Sequence, residues 1–274
     1  MIGSKMKVNI IGYPTNWKEL VWTAARTCYS EEAPMDILNK FKGEDDEHWL
    51  DEVTKSVVVM KKINSLAFPQ PNKEFEGLYN HLFKSGHHSV FEHLQFTFAV
   101  EGVTRQTTHQ LVRHRHFSFS QQSMRYVNMQ NAHMDIPNGE DGSFEEDIGY
   151  ETERYVKEVY EKLISIGIHQ EDARRAMPIG TLTNIIFSAN LRALIDFCSV
   201  RRCVLAQKEI HELANTIRRE VYKIDPLLGR VLMIKCEKSG TCPEERNKDN
   251  KVCGIRPHID SLNLKTLNIL RDDK

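Results

Sequence analysis

Polar and apolar residues interleave in KVNIIGY (7–13) in the manner of a short half-buried strand, and the segment is expected to be the first strand. NWKELVWTAARTCYS (16–30) spaces its apolar residues three and four apart, which predicts a helix opened by Asn16. Two further helical patterns follow, DEVTKSVVVMKKINSL (51–66) and NKEFEGLYNHLFKSG (72–86). The breaker FPQPN separates them, and Gly86 ends the second. LQFTFAVEG (94–102) alternates again and predicts a strand. NGEDGSFEED (138–147) is polar, Gly-rich and acidic, and reads as a loop or mobile insertion. Helical patterns resume at about 149–167 and 169–177, the second stopped by Pro178. IGTLTNIIFSA (179–189) predicts a strand, and NLRALIDFCSVRR (190–202) and AQKEIHELANTIRREVYKI (206–224) the last two long helices. From Cys236 onward the chain is charged and weakly patterned. Helices outnumber the scattered strands, so the expected fold is a single α+β domain.

Composition narrows the field. A chain of 274 residues with 40% hydrophobic and 27% charged residues has the profile of a soluble globular protein with a sizeable core. The net charge of −1 supplies no global attraction for polyanions, so any anion site must be local. The N-terminal apolar run is too short for a signal peptide, and no segment is long enough to span a bilayer. The six cysteines do not form a dense disulfide framework, so a reduced, cytoplasmic protein is expected. Neither G-x-G-x-x-G nor G-x-x-x-x-G-K-[ST] occurs, which removes the dinucleotide fingerprint and the Walker loop.

Three clusters could carry chemistry. Residues 102–125, which contain QLVRHRHFSFSQQSMR, hold four arginines and three histidines with no lysine, aspartate or glutamate. A guanidinium fork holds phosphate or carboxylate through two parallel bonds. Arg113, Arg115 and Arg125, with Ser118, Ser120, Ser123, Gln121 and Gln122 between them, thus suit a phosphorylated, ring-bearing ligand. A solvated loop, or an RNA-binding surface using the same arginines and aromatics, remains open at this point. The second cluster is SGHHSVFEH (85–93). As a metal site it would use His87, His88, Glu92 and His93, but it lacks H-E-x-x-H and i,i+4 histidines. Otherwise it is a turn after a helix end, either structural or facing a pocket. In the third, Asn190, Leu194, Phe197 and Arg201 share one helical stripe, two of them apolar, so Arg201 is expected to be partly buried. A buried cation is costly unless paired with an acid or facing a ligand. Arg174 lies near the end of the short helix before Pro178.

Together these clusters resemble the flavin-dependent thymidylate synthases, whose signature is R-H-R, seven residues, then S. Here it stands as Arg113-His114-Arg115, HFSFSQQ, Ser123, continuing into Arg125-Tyr126. GHHSVFEH (86–93), ARRAMP (173–178) and NLRALIDFCSVRR…AQKE (190–209) accompany it, so the likeness spans roughly residues 7–223. The resemblance implies helices packed around a small, mostly antiparallel sheet, a catalytic domain over 1–224 and an extension of unknown role over 225–274. It implies methylene transfer from 5,10-methylenetetrahydrofolate to C5 of dUMP, with hydride from reduced FAD and with NADPH regenerating the flavin. No cysteine nucleophile is implied, and no metal, nucleic acid or membrane partner.

By position, the resemblance assigns FAD contacts to Ser89, Arg113, His114, Arg115, Gln121, Asn190, Arg192 and Asp196, with His87 and Glu92 nearby. It assigns dUMP to Gln110, Arg113, Gln121, Ser123, Arg125, Arg174 and Arg201. Arg201 matches the catalytic arginine beside the uracil ring that favours ionisation at N3, and Ser123 positions substrate rather than attacking it. Asp196, Gln121 and Leu205 depart from residues that some members carry: an amide, a glutamate and a histidine. The tail CEKSGTCPEERNKDNKVC has C-x5-C-x10-C spacing, which is not a usual zinc pattern. Family members are homotetramers with active sites built from several subunits, and the same is expected here.

Overall fold

The computed structural model describes residues 6–43, 73–136, 144–240, 242, 243 and 253, with backbone alone at 144–147. The expected helix at 51–66 and the breaker after it lie outside the described residues. In chain order the elements are β1 (Lys7–Gly12), α1 (Trp17–Thr27), α2 (Pro34–Lys42), α3 (Lys73–Ser85) and a 3-10 turn (His88–His93). Next come β2 (Gln95–Thr104), α4 (Arg105–Leu111), β3 (Ser118–Gln121), α5 (Phe144–Ser165), α6 (Gln170–Ala173) and a 3-10 turn (Arg174–Ala176). The chain continues through β4 (Leu182–Asn190), α7 (Leu191–Arg201), α8 (Lys208–Ile224), α9 (Pro226–Arg230) and α10 (Lys235–Ser239). This is the expected mixture of helices with a small antiparallel sheet.

The chain groups into two compact units, Met1–Gly12, Thr97–Ala189 and Ala193–Lys274 in one, Tyr13–Phe96 and Asn190–Arg192 in the other. The first contains a four-stranded sheet in the order β1-β2-β4-β3, with β1 antiparallel to β2 and β3 antiparallel to β4. Alternation explains which face is covered: Thr183, Ile185, Phe187 and Ala189 of β4 are buried while Asn184 and Ile186 are exposed. Phe187 stacks on Phe98 at 5.0 Å and on Phe117 at 5.4 Å, so aromatic pairs lock neighbouring strands together. α8 buries Ile210, Leu213, Ala214, Ile217 and Val221, the one-faced stripe its sequence predicts, and packs on β1, α4 and α9. In the second unit, Trp17, Phe75, Tyr79 and Phe91 form an aromatic core with centroids 5.1–6.0 Å apart. α3 ends at Gly86, whose φ of 80° lies in the left-handed region that a Cβ disfavours.

Several boundaries differ from the sequence expectation. Residues 144–147, assigned above to an acidic loop, are the first turn of α5, and 137–143 lie outside the described residues. The helix expected at 169–177 is only one α-turn, which tightens into the 3-10 turn Arg174–Ala176 before Pro178. Asn190 is the last residue of β4 rather than the first of a helix, and Asn16 flanks α1 without a side-chain capping bond. The weakly patterned tail begins with the short helix α10.

Candidate functional site

Arg201 lies at the C-terminal end of α7, on the same stripe as the fully buried Leu194 and Phe197, and is half-buried as expected. Its Nε donates to His114 Nε2 at 3.2 Å, and its Nη1 reaches Gln110 Oε1 at 3.5 Å. Among the described residues it forms no ion pair, so the salt bridge held open above is not what accommodates it. Burial pulls Arg201 below its ordinary value, though a guanidinium stays charged at neutral pH. His114 is pushed down to about 4, by burial first and then by Arg201, against a smaller opposing pull from Asp196. At neutral pH the imidazole is therefore uncharged, and its Nε2 is the acceptor that the Arg201 bond requires. Edge contact with Phe197 at 4.9 Å fixes the ring.

α4 carries Gln110 toward Arg201, and α8 holds α4 in place. Glu209 accepts from Thr104 N at 2.8 Å, from the Thr104 hydroxyl, and from Thr107 Oγ1 at 2.6 Å. Gln207 Oε1 caps α8 through Ile210 N at 3.2 Å and also receives Thr107 Oγ1 at 3.3 Å and Gln110 Nε2 at 3.5 Å. Positioning roles for Gln207 and Glu209 were missed in the sequence. Their only signal was the A-Q-K-E run, and their partners are about a hundred residues away.

A second group surrounds Glu171. Its carboxylate takes Arg125 Nε at 2.8 Å and Nη2 at 3.2 Å, and its backbone oxygen takes Arg174 Nε at 2.9 Å. Ser123 Oγ accepts from Arg125 N at 3.2 Å, so Ser123, Arg125 and Arg174 are brought together. Gln121 Nε2 donates to Thr108 Oγ1 at 3.2 Å and Thr183 Oγ1 at 3.4 Å. Gly180 anchors the turn that follows Arg174, because any Cβ there would collide with the Asp135 carbonyl oxygen. Arg113, Arg115 and Asp196 are exposed.

In the second unit a cleft of about 330 Å³ is lined by Tyr29, His87, His88, Ser89 and Arg192, among others. It collects Ser89, Arg192 and the neighbouring His87 from the sequence list, and adds Tyr29, which sequence reasoning did not single out. Arg192 Nη1 bonds Glu92 Oε1 at 2.5 Å, with both side chains about half exposed. Cys28, free and exposed, also lines this cleft. Cys198 is fully buried, and burial pushes its thiol up to about 12. Cys203 lies two residues past the end of α7.

A small antiparallel sheet flanked by helices, with Arg201 and Arg174 half-buried and in no ion pair among the described residues, is the class of α+β fold that these elements define. Residues 9–227 match the family described as Thymidylate synthase complementing protein. The flavin-dependent thymidylate synthase of Clostridium tetani is 35% identical over 256 residues, covering 87% of this chain and 91% of that one. That of Geobacter sulfurreducens is 34% identical over 247 residues with the same coverage, and that of Pyrococcus furiosus is 38% identical over 172 residues, 58% of this chain and 69% of its own. In fold, the chain resembles the crystal structure of a UMP/dUMP methylase, PolB from Streptomyces cacaoi, bound with 5-Br dUMP. The TM-score is 0.60, with 21% identity, over 83% of this chain and 94% of that one. The chain is an enzyme and belongs to the flavin-dependent thymidylate synthases.

Proposed function

We propose that this enzyme makes dTMP from dUMP, using 5,10-methylenetetrahydrofolate as the one-carbon donor, FAD as bound cofactor and NADPH as reductant, in a homotetramer. The observation that carries the reading is Arg201, a half-buried guanidinium whose partners, His114 and Gln110, are both neutral. Set beside O2 and N3 of the pyrimidine, it stabilises negative charge that develops as C5 becomes nucleophilic, and it does so without giving up a proton. Neutral His114 keeps the guanidinium aimed without cancelling its charge. Gln110, Arg113, Gln121, Ser123, Arg125 and Arg174 hold the rest of the nucleotide. Because Arg125 is already paired with Glu171, it can reach a phosphate only by exchanging one anion for another.

The flavin reading is supported in the second unit by the chemistry of the cleft. Tyr29 offers a ring to stack on, Ser89 and His87 offer hydrogen bonds, and Arg192 offers a cation, a donor set that suits an aromatic cofactor bearing phosphates. Asn190, Arg192, Arg113, His114, Arg115, Gln121 and Asp196 complete the proposed set. When bound, the flavin supplies the hydride that completes the methyl group.

The test is dTMP formation by purified, flavin-loaded protein given dUMP, methylenetetrahydrofolate and NADPH, with each omitted in turn. Product should require all three. Absence of dTMP from protein that retains FAD and binds dUMP would overturn the reaction assigned.

A further inference from the structure

Arg201 meets two neutral side chains, and the amide of one of them, Gln110, can face it with either end. In the structure Gln110 Oε1 faces Arg201 Nη1 and Gln110 Nε2 faces Gln207 Oε1, each at 3.5 Å. The sense of that amide matters. A guanidinium has only donors, so an amide turned end for end would set its NH2 against the cation and its carbonyl against the Gln207 oxygen. Two attractions would become two repulsions, beside the group on which the proposed reaction depends.

Gln207 settles the sense from the other side. It is the N-cap of α8, and its Oε1 accepts from Ile210 N at 3.2 Å. A backbone N–H can only donate, so the atom it meets must be the amide oxygen. The single hydroxyl proton of Thr107 lies within reach of that oxygen at 3.3 Å, but the Glu209 carboxylate takes it at 2.6 Å. Both lone pairs of Gln207 Oε1 are thus left to Ile210 and Gln110. Asn, Ser or Asp would cap α8 as well or better, but their shorter side chains would not span from the cap to Gln110. Arg201 is then held at Nε by His114 at 3.2 Å and at Nη1 by Gln110. Among the described residues its Nη2 has no protein partner, and that end of the fork is the one left for a pyrimidine.

We infer that Gln207 is a positioning residue for the reaction: by fixing the sense of the Gln110 amide, it sets the rotation of the Arg201 guanidinium. The inference rests on the reading of Arg201 given above. Gln207 touches no reacting atom and acts through Gln110. α8, whose apolar stripe is sunk in the core, is in this way the rigid reference against which the cation is aimed.

The experiment compares full-length, flavin-loaded wild type, Gln207→Asn, Gln207→Ser, Gln110→Ala and the double variant Gln207→Asn with Gln110→Ala. Melting temperature and flavin content check folding, and dTMP formation is timed in single turnovers of pre-reduced enzyme at saturating dUMP. Gln207→Asn and Gln207→Ser keep a cap for Ile210 N and lose the reach to Gln110, so melting temperature should stay at the wild-type value while the rate falls about tenfold. In the Gln110→Ala background the relay is already cut, and adding Gln207→Asn should lower the rate by less than about twofold. Equal losses in the two backgrounds would overturn the proposal while leaving Arg201 its role. So would wild-type rates from Gln207→Asn and Gln207→Ser beside an impaired Gln110→Ala. A wild-type rate from Gln110→Ala would remove the Gln110–Arg201 contact from the mechanism and this proposal with it, and Arg201→Ala would still decide the reading of Arg201 separately.

Discussion

Arg201 and Arg202 are consecutive at the end of α7, and their surroundings are opposite. Arg202 is 8% exposed and has an acid among its partners: Nε donates to Asn215 Oδ1 at 3.0 Å, and Nη1 to Leu232 O at 2.5 Å and Glu237 Oε2 at 3.1 Å. Glu237 in turn accepts Ile234 N at 3.0 Å, so the anion is itself held. Arg201 is less buried and, among the described residues, meets a neutral imidazole and an amide but no acid. The fold can therefore provide an acid for a guanidinium at this depth, and one residue earlier it does not. The difference separates a cation that ties α7 to α8 and the following helices from one that no acid among the described residues neutralises.

That contrast can be broken most severely at Arg202. Arg202→Ala strands Glu237 and should cost about 3–5 kcal/mol of stability, read as a lower denaturation midpoint, while turnover per folded molecule is retained. Arg201→Ala should do the reverse. Its melting temperature should barely change and FAD should remain bound, but kcat should fall about 10²–10³-fold, the scale set by removing one preorganised electrostatic donor.

How much of this was legible beforehand depends on the range of the interactions. The stripe of α8, the alternation of β4 and the Gly86 stop are local patterns, and they led to the right elements. α4 was not seen because RQTTHQL has little helical character, and Thr104 and Glu209, far apart in sequence, stabilise it together. β3 is four residues long and exists through its pairing with β4. α2 did carry a readable signal, Pro34 in its first turn and Gly43 in the left-handed region after its last. Within the site, motif spacing pointed to Arg201, Arg174 and Arg125. It could not show that Arg125 is already neutralised by Glu171, because that depends on which acids folding brings near.

The neutral partner of Arg201 gives a pH-dependent refinement. Folded His114 titrates at about 4, below its ordinary value of 6.5, so on acidification the unfolded chain takes up the proton first. Its contribution to stability is whole above about pH 6.5 and is lost progressively as pH falls toward 4. Denaturant titrations at pH 7 and pH 5 should show a larger drop for the wild type than for His114→Gln. The smallest effect belongs to the exposed pair Arg192–Glu92, where Glu92→Gln should change stability by less than about 1 kcal/mol, because solvent already screens both charges.

The most direct test is a single-turnover comparison of Arg201→Ala and Arg202→Ala, both flavin-loaded and pre-reduced, at a temperature where both are folded, with dTMP measured over time. A rate at least a hundredfold below wild type for Arg201→Ala, with Arg202→Ala within about threefold of wild type, is the result expected of a guanidinium reserved for substrate. Wild-type rates from Arg201→Ala, or equal losses in the two variants, would contradict it.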